Sequence, residues 1–163
     1  MPVFKLTSSD HQVSVAKAPE TVRMVTIDDL ARGPEGMSVI TGPIGLEIAT
    51  DCDLDAIAPY IDQLALVIIR FEAFKDGRGF STARLLRDRY GFLGDIRAAG
   101  NLLLDQIQFL IRVGFSSVEF DGAVDEDGIK AAIERFSVVY QTAFDSRRPI
   151  QRLRQSATPS PGP

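Results

Sequence analysis

From Gly45 to about Phe136 the chain repeats one pattern: a short apolar run, a turn signal, then apolar residues at helical spacing. Leu46 to Ala49 is the first strand of the series. Asp53 is placed to cap a helix carrying Leu54, Ile57, Ala58, Ile61 and Leu64 on one face, which Pro59 should kink or shorten. Leu66 to Phe71 (LVIIRF) is an unbroken aliphatic run, the pattern of a strand covered on both faces. Ser81 can cap the next helix, whose apolar positions are Ala83, Leu85, Leu86 and Tyr90 and whose stop is Gly91. Its other positions carry Arg84, Arg87, Asp88 and Arg89. Asp95 to Ala98 is a third, shorter strand. Asn101 then caps LLLDQIQFLIRV, apolar almost all round, which predicts the most buried helix, ending at Gly114. Ser117 to Phe120 is the fourth strand, and Asp125 opens a last helix with Ile129, Ala132, Ile133, Phe136, Val139 and Tyr140.

Strand and helix alternating at this interval imply βαβ units with right-handed crossovers and a parallel sheet. The predicted fold is α/β: about four mainly parallel strands alternating with helices, half-barrel-like or flavodoxin-like, with an irregular N-terminal arm. The arm covers residues 1–44, the α/β core 45–144, and a polar, disordered tail 145–163. Within the arm, the alternation around Val13 and Val15 predicts a short edge strand, and Thr26 caps a single helical turn stopped by Gly33. The tail carries Arg147, Arg148, Arg152 and Arg154 before SATPSPGP, a composition that remains solvated. A half barrel leaves strand edges that need cover, so a homodimer is expected.

Composition narrows the function. At 163 residues and 45% hydrophobic content the chain fits one domain with one core. A net charge of −4 and a pI near 5.0 exclude a general nucleic-acid binder, which needs a basic face. The single cysteine, Cys52, allows no intramolecular disulfide, and with His11 as the one histidine no common zinc or iron–sulfur ligand set is available, so no metal site is expected. Asp51 and Asp53 flank Cys52 and disfavour its thiolate. His11 reads as a surface residue, and Tyr90 and Tyr140 as core rather than proton donors. No run approaches the roughly 20 apolar residues of a membrane span, and no secretory leader precedes the arm. The expected setting is cytoplasmic and reducing, with no membrane partner.

In a sheet of βα units ligands bind beyond the carboxyl ends of the strands. Those loops offer Asp51, Asp53, Glu72, Lys75, Asp76, Arg78, Asn101 and Asp121, with Arg70 and Arg97 near the strand ends. Lys75 to Ser81 (KDGRGFS) is the richest of them. Gly77 and Gly79 can take positive φ and admit a ligand to the backbone, the N–H groups opening the helix at Ser81 favour negative charge, and Arg78 offers a planar fork to an oxyanion. The competing expectation is a tight turn at Asp76-Gly77 with Arg78 paired to Glu72 or Asp76. Arg97 is either a second anion ligand or the partner of Asp95, Asp105 or Asp121. No nucleotide fingerprint is present.

The run FKDGRGFSTARLLRDRYGFLGDIRAAGNLLLDQ, Phe74 to Gln106, resembles the core motif of the family called domain of unknown function 934, and a looser resemblance extends from Gly42 to Gln141. Members are usually described as oxidoreductases of sulfite reduction, on the neighbourhood of their genes. The resemblance implies a bacterial protein of assimilatory sulfur metabolism, accessory to sulfite reduction. In that reading Arg78, Arg97, Gly77, Gly79, Ser81 and Asn101 hold a small oxyanion, and Asp76 or Glu72 orients the arginines or acts as acid or base. The alternative is a non-catalytic module that docks on sulfite reductase or its electron donor through the arginine-bearing helix. No cofactor is implied by any motif. Where the family pattern has Pro and Asp this chain has Glu72 and Asn101; a catalytic Asp would be lost, whereas a helix cap would be kept.

Overall fold

The structure, a computed structural model, describes residues 3–9, 12–17, 22–32, 42–122 and 124–135. The four expected strands are present as β4 (Ile44–Ala49), β5 (Leu64–Phe71), β6 (Asp95–Gly100) and β7 (Ser117–Phe120). The arm contributes more than one edge strand. β1 (Val3–Ser9) and β2 (Gln12–Lys17) form an antiparallel hairpin whose β1 pairs with β7, and β3 (Arg23–Val25) lies parallel to β4. The result is one seven-stranded sheet in the order β2-β1-β7-β6-β5-β4-β3. The single turn after Thr26 is α1 (Ile27–Ala31), closed by a capping box between Thr26 and Asp29.

Each helix lies where its sequence allows a start and a stop. Asp53 opens α2 (Leu54–Ile57) by accepting from the Asp55 N–H at 3.0 Å, and Pro59 shortens it, so Ala58–Gln63 continues as 3₁₀. Helix α3 (Arg78–Asp88) begins earlier than expected: Gly77, not Ser81, is the N-cap, and the Asp76 carboxylate accepts from the Arg78 N–H at 3.2 Å in place of a serine cap. Asn101 is not a helix cap either. The chain runs on extended through Leu103 and makes a 3₁₀ turn (Leu104–Gln106), and only then does α4 (Ile107–Val113) begin. The Leu103 N–H is satisfied by Gln106 Oε1 at 3.0 Å. Helix α4 is also not buried all round, since Phe109 is 58% exposed while Gln108 is buried. Gly114 ends it in the left-handed conformation at φ 106°, as expected. Asp125 caps α5 (Glu126–Glu134) through the Gly128 N–H at 2.8 Å. The expected continuation from Phe136 to Tyr140, the tail 145–163, His11 and Gly33 lie outside the described residues.

From β3 to β7 every parallel strand is added on the same side of the one before it. Right-handed crossovers then place all the connecting helices on one face. The core follows that rule: Leu46, Ile48, Val67, Ile69, Phe71, Ile96, Ala98 and Val118 of the sheet pack with Leu54, Ile57, Ala83, Leu86, Ile107, Leu110 and Ile129 of the helices. This is the singly wound, half-barrel arrangement. A flavodoxin-like sheet would reverse its strand order and carry helices on both faces. The opposite face holds a small apolar cluster, Leu66, Ile68 and Ala99 with Val22 against it, and alternation along the same strands puts Glu47, Arg70, Asp95, Arg97 and Glu119 there as well. Among the described residues no helix is long and apolar enough to cross a membrane.

Candidate functional site

The KDGRGFS loop is a closed ion-pair knot. Arg78 Nε and Nη2 donate to the two Asp76 oxygens at 2.9 and 2.8 Å, and Nη1 donates to Asp51 at 2.8 Å. Thr50 Oγ1 donates to Asp76 at 2.6 Å. The guanidinium of Arg78 first, and then the Thr50 hydroxyl, hold the Asp76 carboxyl far below the ordinary carboxylate range, and Arg78 is correspondingly held charged. Asp76 is therefore a poor proton acceptor. Gly77 does not take positive φ (−70°), and Gly79 is a helical residue whose added Cβ would collide with the Phe71 ring and approach Thr50 Cγ2 at 3.0 Å. Gly79 serves close packing, not ligand approach. Ser81 is exposed within α3.

Arg97 does not meet Arg78. It lies on the face away from the helices and is 7% exposed, with Nε donating to Ser117 Oγ at 3.3 Å and its terminal nitrogens 3.8 Å from Asp95 and 3.7 Å from Glu119. Asp95, one of its expected partners, also accepts from the Ser116 and Ser117 hydroxyls at 2.6 and 2.9 Å. Arg87, placed by sequence among the positions off the apolar face of its helix, is a structural staple. It donates to the carbonyls of Gly114 at 3.0 Å, Gly94 at 2.8 Å and Phe92, tying α3 to the turns that precede β6 and β7. Burial lowers its pKa while Asp95 opposes the shift.

The carboxyl ends of β5, β6 and β7 enclose a cleft of about 590 Å³. Arg70, Phe71 and Glu72 line it from β5, Asn101 and Leu102 from the end of β6, and Phe120, Asp121, Gly122 and Val124 from the end of β7. Gly100 makes it possible. It stands at φ +95°, and a Cβ there would lie 2.5 Å from the Phe71 carbonyl oxygen, so this turn admits glycine alone without strain. The Asn101 N–H donates to that same carbonyl at 2.9 Å. Arg70 is held by Glu47, whose carboxylate takes Nε and, at 3.0 Å, Nη2, leaving Nη1 for a ligand. The Arg70 hydrogen bond lowers the Glu47 pKa and raises that of Arg70, and Glu119 and Asp121 reinforce the latter. Among the described residues the side chains of Glu72, Asn101 and Asp121 make no hydrogen bond or ion pair with the protein.

Of the sequence-derived site residues, the fold thus brings Glu72 and Asn101 to one cleft and leaves Asp76, Arg78, Gly77, Gly79 and Ser81 in a separate loop and Arg97 in the opposite face. Arg70 and Asp121 were on the right sheet edge, but Glu47 as the partner of Arg70 had no local signal. Cys52 is half-buried, and its thiol pKa is raised by burial first and by Asp53 and Asp51 next. The Tyr90 hydroxyl donates to Asp55, which raises its pKa. Among the described residues no cluster of acidic, histidine or cysteine side chains could hold a metal ion.

Fold and cleft define an α/β protein of the singly wound type with its pocket at the carboxyl edge of the sheet. Residues 45–151 match the family described as "Bacterial protein of unknown function (DUF934)". The chain belongs to this family. Comparisons with curated proteins and with solved structures gave no match.

Proposed function

We propose that this is a bacterial, cytoplasmic protein of assimilatory sulfur metabolism, accessory to sulfite reduction, that holds a small acid-bearing metabolite in the cleft formed by β5, β6 and β7. The supporting observation is the cleft: polar side chains without protein partners gather at the sheet edge where βα folds bind ligands, around an arginine already fixed by Glu47. The sulfur context comes from the resemblance of Phe74 to Gln106 to the family motif. The site differs from the Arg78 and Arg97 pair first considered, because the fork of Arg78 is filled and Arg97 is buried among Ser117, Asp95 and Glu119. A strain lacking the gene should grow poorly with sulfate as sole sulfur source and normally with cysteine. The wild-type gene should restore growth, and Arg70→Gln should not. Unimpaired growth of the deletion strain on sulfate would sink the proposal.

A second reading, docking on sulfite reductase or its electron donor, is favoured by apolar side chains at the same edge: Phe74 is 48% and Leu103 42% exposed. It moves the contact away from the arginine-bearing helix, where Arg87 is committed to backbone carbonyls. Co-purification with the reductase that survives Arg84→Ala but is lost in a Phe74→Ser, Leu103→Ser double variant is the expected result.

A further inference from the structure

We infer that the ligand of the cleft is zwitterionic: an α-amino acid head group, with its carboxylate on Arg70 and its ammonium on Asp121 and Glu72. This rests on the cleft being the binding site. The inference starts from charge. Glu47 already neutralises Arg70, so the cleft itself carries the two carboxylates Glu72 and Asp121, both without protein partners among the described residues. A bare dianion such as sulfite or sulfate would meet those carboxylates with no ammonium to answer them, which disfavours it. A purely cationic ligand would leave that Nη1 unused.

The strand order supplies the spacing. Arg70 ends β5 and Asp121 follows β7, with β6 between them. Two strand spacings separate their backbone positions by roughly 9–10 Å. Both side chains line the cleft between those strand ends, where an ammonium and a carboxylate carried on one carbon would present opposite charges to the two of them at once. Asn101, at the end of the intervening β6, offers an amide to either group. The cleft is open to solvent and, at about 590 Å³, has room for a side chain on the ligand, which Leu102 and Val124 would contact.

The test is isothermal titration of the full chain with L-serine and L-methionine, with their N-acetyl and carboxamide derivatives, and with sodium sulfate, together with amide chemical-shift mapping. Binding of a free amino acid that weakens at least tenfold on N-acetylation and on amidation, with shifts at Gly100, Asn101 and Gly122, is expected. Arg70→Gln should abolish the dependence on the carboxylate, and Asp121→Asn the dependence on the amine. If sulfate or the N-acetyl derivatives bind in the cleft as well as the free amino acids, the zwitterion is wrong and the cleft reading stands. If no probe binds there, both fall.

Discussion

Arg87 illustrates how one side chain can hold a fold together without belonging to its core. Its three carbonyl partners sit in turns that no helix or strand satisfies. Arg87→Ala would leave them underbonded, at a cost of about 2–3 kcal/mol, read as a lower urea midpoint with unchanged slope. Gly100→Ala forces a Cβ against the Phe71 carbonyl and a left-handed alanine, and should cost about 1–3 kcal/mol while deforming the cleft. Asp76 makes a pH prediction. Its folded pKa lies below the ordinary 3.8, so its stabilising contribution is complete above about pH 4 and declines as pH falls, because the unfolded chain takes up the proton first. Melting temperatures of wild type and Asp76→Asn should differ most at pH 7, and the gap should narrow steadily as pH is lowered below about 4. The pairing of Asp76 with Arg78 was one of the two partners expected from sequence, but the roles of Arg87 and Gly100 were not legible beforehand. Arg87 and Gly100 act through backbone atoms far away in sequence, and a pattern of side chains says nothing about where those atoms will be.

Among the elements, the four core strands were legible because each is a bounded apolar run, and Asp53, Asp125 and Gly114 announced their helix ends by chemistry that acts locally. Ser81 and Asn101 failed for one shared reason. A serine or asparagine can cap only if the backbone turns there, and tertiary bonds decided otherwise: the Asp76 knot starts α3 early, and the Asn101 N–H is drawn to the Phe71 carbonyl. The knot belongs to the start of α3. Arg78→Ala should therefore lower stability and increase amide exchange between Asp76 and Thr82, while leaving ligand binding in the cleft unchanged. A loss of binding with no change in exchange would restore Arg78 to the site.

For the whole molecule, the family match begins at residue 45, yet the sheet does not. Phe4 and Leu6 are buried in the main core, and Val3 is 2% exposed. A chain starting at Gly42 should lose cooperative thermal unfolding and aggregate through the uncovered edge of β7, as followed by calorimetry and gel filtration. The half-barrel alternative was legible from the strand–helix rhythm, but the choice against a flavodoxin-like sheet needed the strand order. In the arm, β2 was legible from the alternation around Val13 and Val15, whereas β3, three residues long, and β1, which mixes apolar with polar positions, escaped.

The pairing of β1 with β7 has a further consequence during synthesis. Val3 leaves the ribosome before its partner Glu119, which follows on the order of ten seconds later at the usual pace of translation. Until then the hairpin has no edge to join, whereas β4, β5 and β6 can assemble as each is made. The hairpin is thus made before those strands yet settles after them, and its exposed strand in the interval is where a chaperone would bind the nascent chain.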